Sequence, residues 1–213
     1  MSSAECAEVI VIDDDIRIQN ALKRLLPAHG FKVRGFSSAK EFLENIDGEL
    51  PVGCLLLDIE MPGMNGIELQ ALLLQRGIDI PVVFMTGRAT VSRSVQAMKQ
   101  GAVDFLEKPV DGQTLIDVIR NAVGRSHKHF LEKQECLDLD QRFQSLSARE
   151  RDVLRLVAKG LLNKQIAAEL NIAEVTVKLH RARVMEKMQA NSLAELIGMT
   201  AKMKLPPCSA PIR

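Results

Sequence analysis

Through the first 125 residues, short apolar runs alternate with segments whose apolar positions recur at helical spacing. The runs Val9–Asp13, Lys32–Phe36, Val52–Leu57, Pro81–Thr86 and Val103–Glu107 predict five strands. Between the first two, Asp15–His29 places Ile16, Ile18, Leu22, Leu25 and Leu26 on a helix that Gly30 stops. Ser38-Ala39-Lys40-Glu41 is a capping box, opening a helix that carries Phe42, Leu43 and Ile46. A third helix runs from Gly66 to about Arg76, with Asn65 as its cap and Glu68 three residues on. Thr90–Lys99, closed by Gly101, and Asp111–Val123 complete the set. Five strands alternating with five helices predict a parallel, doubly wound sheet covered on both faces. Ligand sites in such sheets lie beyond the carboxyl ends of the strands.

The pattern then changes. Residues 126–143 are polar, with Leu131, Leu137 and Leu139 spread through them and no Pro or Gly, which predicts a helical linker. From residue 144 to 204 the signals are helical throughout. Ser147-Ala148-Arg149-Glu150 is a second capping box, and its helix carries Val153, Leu154, Leu156 and Val157 up to Gly160. Asn163–Leu170 is a short helix with Ile166, Ala167 and Leu170 inward, Asn171-Ile172-Ala173 a turn, Glu174–Met188 a third helix and Ser192–Met203 a fourth. The tail, 205–213, holds Pro206, Pro207 and Pro211 and is expected to be disordered. The expected division is therefore an α/β domain at 1–125, a linker at 126–143 and a small all-α domain at 144–204.

Charge separates the two halves. Residues 1–125 carry 17 acidic against 13 basic residues, and residues 126–213 carry 15 basic against 10 acidic. The basic half is the candidate for a polyanion partner. Trp and Tyr are absent, which argues against recognition by aromatic stacking and so against RNA or single-strand binding. The four cysteines, Cys6, Cys54, Cys136 and Cys208, show no metal-binding spacing and read as free thiols of a reducing compartment. No leader and no segment of membrane-spanning length is visible, so a soluble cytoplasmic protein without a membrane partner is expected.

The strand ends hold the chemistry. Strand one ends in Asp13-Asp14-Asp15 and strand three in Asp58; strand four ends in Thr86, and strand five leads to Lys108-Pro109. An ionised carboxylate is costly to bury, so Asp58 should sit where its strand surfaces, before the tight loop that Pro62, Gly63 and Gly66 impose. Taken singly, an acidic run, a Thr after a strand and a Lys are ordinary surface features; their placement at four carboxyl ends is not. Clustered carboxylates repel unless a cation neutralises them, and hard oxygen ligands suit Mg²⁺, with Mn²⁺ a second choice. Asp58 is fit to be a nucleophile that forms an acyl phosphate, with Lys108 pairing with a phosphate oxygen and Thr86 donating its hydroxyl to another.

Asp13-Asp14, Asp58 with Met61-Pro62-Gly63, Thr86 and Lys108-Pro109 resemble the signature of response-regulator receiver domains, over about residues 7–125. The resemblance implies a flavodoxin-like fold with Asp58 as phosphoacceptor. It also implies a metal site of Asp13, Asp14, Asp58 and the backbone carbonyl of Glu60, and a cis Lys108-Pro109 peptide. Thr86 and Phe105 would form the two-state switch; an ordinary core aromatic is the plain alternative for Phe105. After strand four the run is Thr86-Gly87-Arg88, whereas many relatives carry His in the third place, and Arg88 is either a site residue or a solvated loop arginine.

In the basic half, a short helix, a turn and a second helix match helix-turn-helix spacing. The polar positions of the second helix are Thr176, Lys178, His180, Arg181 and Arg183, and Val175, Val177, Val184 and Met188 are expected to be its buried stripe. A cationic exposed face suits the major groove and its flanking phosphates. Ser147-Ala148-Arg149-Glu150, Gly160, Asn163-Lys164-Gln165-Ile166-Ala167 and Thr176-Val177-Lys178-Leu179-His180 resemble the LuxR-type DNA-binding domain of the NarL/FixJ response regulators, in the FixJ-like branch. This implies base contacts from Lys178 and Leu179, with Ala182 leaving weak readout on the next turn. Phosphate contacts would come from Asn163, Lys164, Thr176, His180, Arg181 and Arg183, and the last helix would dimerise. The expected whole is a phosphorylation-controlled, non-enzymatic transcription regulator. Its expected partners are a sensor histidine kinase, double-stranded promoter DNA, a second copy of the chain when phosphorylated, and RNA polymerase. Two rivals are weighed beside it. One is a DNA-binding regulator whose receiver is never phosphorylated. The other is a haloacid-dehalogenase-type phosphatase, which wants an Asp two residues after its nucleophile, where this chain has Glu60.

Overall fold

A computed structural model describes residues 7–46, 50–87 and 97–203, and the chain divides into two compact units, 1–130 and 131–213. In the first unit, strands β1 (Glu8–Ile12), β2 (Lys32–Phe36), β3 (Gly53–Asp58), β4 (Val82–Thr86) and β5 (Asp104–Glu107) form a parallel sheet in the order β2-β1-β3-β4-β5. The expected α/β class and doubly wound sheet are found. Alternate residues of each strand point to opposite faces, and the core divides accordingly. Ile10, Ile12, Leu55, Leu57 and Phe84 pack with Phe42 of α2 (Ala39–Glu44) and with Leu69 and Leu73 of α3 (Gly66–Gln75). Val9, Val11, Cys54, Leu56 and Val83 pack on the other face with Leu22 of α1 (Ile16–Leu25) and with Leu115, Ile116 and Ile119 of α4 (Gly112–Gln144). All six residues of β3 are buried, which is why Cys54–Leu57 is apolar without alternation.

The helix starts follow the capping chemistry. Asn65 and Glu68 form a complete capping box, with Asn65 Oδ1 accepting from Glu68 N–H and Glu68 Oε2 accepting from Asn65 N–H, both at 2.9 Å. The box expected at Ser38 is only half made. Ser38 Oγ accepts from Glu41 N–H at 3.1 Å, but the Glu41 carboxylate turns to Ser37, accepting from its N–H at 2.7 Å and from its hydroxyl at 2.6 Å. In α1 the expected stripe is partly corrected: Ile16 is exposed, while Gln19 and Leu22 are buried. The predicted helix 111–123 and the predicted linker are one helix of 33 residues, since its one interior glycine, Gly124, costs only about 1 kcal/mol. Of the predicted helix 90–99 only 97–99 lies within the described residues; Arg88 and the tail 205–213 lie outside them.

The second unit is a helical cluster of α5 (Ala148–Ala158), α6 (Asn163–Leu170), α7 (Glu174–Met188) and α8 (Leu193–Lys202), together with the end of α4. Leu139, Phe143, Val153, Leu154, Ile166, Val177, Val184, Met188 and Leu196 form its core. Asn171, in the left-handed region at φ 52°, makes the turn between α6 and α7, a conformation that Asn tolerates better than most residues. At the start of α5, Ser147 and Glu150 complete the second expected box, and buried Glu150 also accepts from Lys187 Nζ at 2.7 Å, tying α5 to the end of α7. Among the described residues no helix is long and apolar enough to cross a membrane.

The Lys187 hydrogen bond, with the Ser147 N–H, holds the Glu150 carboxyl below its ordinary pKa. A folded-state pKa below the unfolded one stabilises above the ordinary carboxylate range, and this contribution is lost as pH falls through the lowered value. Glu150→Gln is therefore expected to cost about 1–2 kcal/mol at neutral pH, with the deficit closing in acid, in denaturant titrations of the full chain across the acid range.

Candidate functional site

The carboxyl ends of β1, β3 and β5 converge on one group. Lys108, directly after β5, places its ammonium 2.6 Å from Asp13 Oδ2 and 2.7 Å from Asp58 Oδ2. Both acceptors are buried, Asp13 completely. The second oxygen of each acid is held by backbone: Asp13 Oδ1 accepts from Asp15 N–H at 2.9 Å, and Asp58 Oδ1 accepts from Glu60 N–H at 3.1 Å. Asp14 is exposed beside them, and Asp13, Asp14 and Asp58 each offer a carboxylate oxygen within 4.8 Å of the others. Three hard oxygen donors on one rim, one of them open to solvent, suit Mg²⁺.

The electrostatics reflect the burial. Desolvation pushes the Asp13 carboxyl above its ordinary range, against the hydrogen bond from Lys108. Burial also opposes the charge on Lys108, yet the hydrogen bonds to Asp13 and Asp58 outweigh it, so the ammonium is held above its ordinary value. The site is thus a cation clamped between two acids, and a third acid stands free to join it.

Thr86 closes β4 and is wholly buried, and its carbonyl accepts from the Lys108 N–H at 2.8 Å. Phe105 sits on β5 opposite Phe84 of β4, half-buried against the α2–α3 side of the core. Glu60 has an exposed side chain. The Lys108-Pro109 peptide is cis.

Two further residues position the site, of which Gln19 is absent from the sequence-based expectations. Gln19 Nε2 donates to the carbonyls of Asp13 at 2.8 Å and Phe36 at 3.0 Å, clamping the ends of β1 and β2. Its signal was available, because Gln19 precedes Leu22 by three residues and Leu26 by seven, the spacing of a buried helical stripe. Gly66 opens α3 against the strand that bears Asp58; a Cβ there would lie 2.3 Å from the Asp58 carbonyl oxygen. Only glycine lets the helix start this close.

In the second unit, α7 presents an exposed face of Val175, Lys178, Leu179, Ala182, Arg183 and Glu186. Val175 is a correction: it is 73% exposed, not part of the buried stripe. At 100° per residue it lies about 200° from Val177, whereas Val184 and Met188 fall within about 20° of Val177. Thr176, His180 and Arg181 are half-buried on the flank. Arg181 Nη1 donates to Asn163 Oδ1 at 2.8 Å, joining the start of α6 to α7, and Lys164 is exposed beside it. His180 Nδ1 is buried with no hydrogen-bond partner among the described residues.

Residues 9–120 match the response regulator receiver domain, and residues 144–200 match the bacterial regulatory proteins of the luxR family. Nodulation protein W of Bradyrhizobium diazoefficiens is 43% identical, over 91% of this chain and 85% of that protein. The transcriptional regulatory protein FixJ of the same organism is 41% identical, over 91% and 94%. Among solved structures, response regulator StyR is similar with a TM-score of 0.80 and 43% identity over 92% of this chain and 98% of that one. Full-length FixJ from B. japonicum gives 0.57 and 40%, over 92% and 96%.

Removing the cation should expose what it neutralises. Lys108→Met is expected to lower unfolding free energy by up to about 3–5 kcal/mol at neutral pH in chelator, because two buried carboxylates then face each other. Added Mg²⁺ should recover part of the loss, read as paired denaturant titrations; an unchanged midpoint would contradict the assignment.

Proposed function

The chain belongs to the NarL/FixJ family of response regulators, with a receiver domain and a LuxR-type DNA-binding domain, and from that premise we propose that phosphorylation of Asp58 controls its activity as a transcription regulator. The observation that carries this reading is the gathering of Asp13, Asp14, Asp58 and Lys108 from three strand ends into one polar cluster. We place the receiver at 1–125, the helical linker at 126–143 and the DNA-binding domain at 144–204.

In this reading a carboxylate oxygen of Asp58 attacks the phosphorus of a phosphohistidine on a sensor kinase. A P–O bond forms as the P–N bond breaks, and the departing imidazole keeps the electron pair and takes up a proton. Asp13, Asp14 and Asp58, with the Glu60 carbonyl, would hold Mg²⁺, whose charge, when bound, offsets the acids and the incoming phosphoryl oxygens. Lys108, already at the Asp58 carboxylate, pairs with a phosphoryl oxygen. Thr86 turns its hydroxyl to another, and Phe105 moves inward with it as the switch. The chain serves as the recipient of the group rather than as an enzyme with a turned-over substrate.

The output is DNA binding. Lys178 and Leu179 face bases in the major groove, while Asn163, Lys164, Thr176, His180, Arg181 and Arg183 hold phosphates. Leu193 and Ile197, exposed on α8, give the phosphorylated chain an apolar face for a second copy. Two recognition helices on adjacent half-sites then multiply affinity. RNA polymerase is the partner through which promoter binding would act.

Two experiments test the reading. After Mg²⁺ and a small phosphodonor, the wild-type chain should shift toward dimer and bind selected duplex DNA more tightly, while Asp58→Asn does neither; equal behaviour of the two would refute it. Lys178→Ala should change sequence preference, whereas Lys164→Ala should weaken binding evenly on all sequences and reduce its salt dependence by about one phosphate contact.

A further inference from the structure

The exposed face of α7 carries side chains that phosphate binding does not use. Val175 is 73% exposed and Leu179 51% exposed. They lie one turn apart on the same face, with exposed Ala182 beyond them and Lys178 at their side. Scattered apolar residues on a surface need no explanation, but two on adjacent turns of one helix make a ridge. Val175 is the second residue of α7, at the end that meets base edges first in helix-turn-helix docking.

A valine has no donor or acceptor, so it reads neither the hydrogen-bonding edge of a base nor a phosphate. The one apolar group that base pairs present in the major groove is the C5 methyl of thymine. We propose that Val175, seated with Leu179, is a specificity-determining residue that packs on a thymine methyl in each half-site. Lys178 beside it supplies the polar part of the readout. The inference rests on the DNA-binding reading given above.

The test begins with in vitro selection of duplexes from a randomised library by the full chain, treated with Mg²⁺ and phosphodonor. Each thymine of the selected half-site is then replaced in turn by deoxyuridine, which removes only the methyl group, and affinity is measured by fluorescence anisotropy. One position should weaken wild-type binding about fourfold, the worth of burying one methyl group. That penalty should vanish in Val175→Ala and persist in Lys178→Ala. Val175 is exposed, so the alanine variant is expected to keep the wild-type circular dichroism and wild-type affinity for random duplex. Val175→Thr, which keeps one methyl on the same branched frame, should retain part of the effect. The proposal is overturned if no deoxyuridine substitution weakens binding, if the selected half-site lacks thymine, or if the penalty survives in Val175→Ala. Selection of no duplex above the random background overturns the DNA-binding reading itself, and the methyl contact with it.

Discussion

An ammonium group clamped between two buried carboxylates is the interaction around which the first unit is arranged. Lys108 follows β5 at one edge of the sheet, yet its Nζ reaches Asp58 of β3 and Asp13 beyond β1, spanning the end of β4. Two acids this deep are tolerable only because a cation sits between them and backbone N–H groups hold their outer oxygens. The supporting parts follow from that need. Gln19 fixes the Asp13 carbonyl, Gly66 lets α3 start against β3, and the Thr86 carbonyl anchors the Lys108 backbone.

Such a cluster is sensitive to charge. A phosphoryl group added to Asp58 would bring new acceptors to the acids that Lys108 neutralises, so the ammonium would be shared among more oxygens. Thr86 lies in register with Glu107, and Phe84 with Phe105, so the β4 and β5 ends are paired beside the strand that bears Asp58. Asp58, in register with Met85, thus lies directly beside the β4–β5 side of the sheet.

Much of this was legible from the chain. The five strands, the boxes at Asn65 and Ser147 and the acids at the strand ends all rest on local rules that tertiary packing reinforces. Three misses share one cause, a residue type taken without its angle. Val175 looked like core because it is a valine, although its position sets it opposite Val177. Ile16 is apolar and at helical spacing, yet its angle leaves it exposed, whereas Gln19 is polar and its angle buries it. The half-formed box at Ser38 shows a different limit, since a neighbouring serine competed for the Glu41 carboxylate at equal sequence cost. The long α4 shows that a change in composition near residue 126 marks a change of surroundings, not an end of helix.

The central claim is that Asp58, and no other carboxylate of the cluster, accepts a phosphoryl group. An acyl phosphate can be trapped by borohydride, which reduces the phosphorylated aspartate to homoserine. Peptide mass mapping after treatment with a small phosphodonor should find homoserine at position 58, dependent on Mg²⁺ and absent when the divalent cation is chelated. Homoserine at Asp13 or Asp14, or none at any acid of the site, would contradict the account.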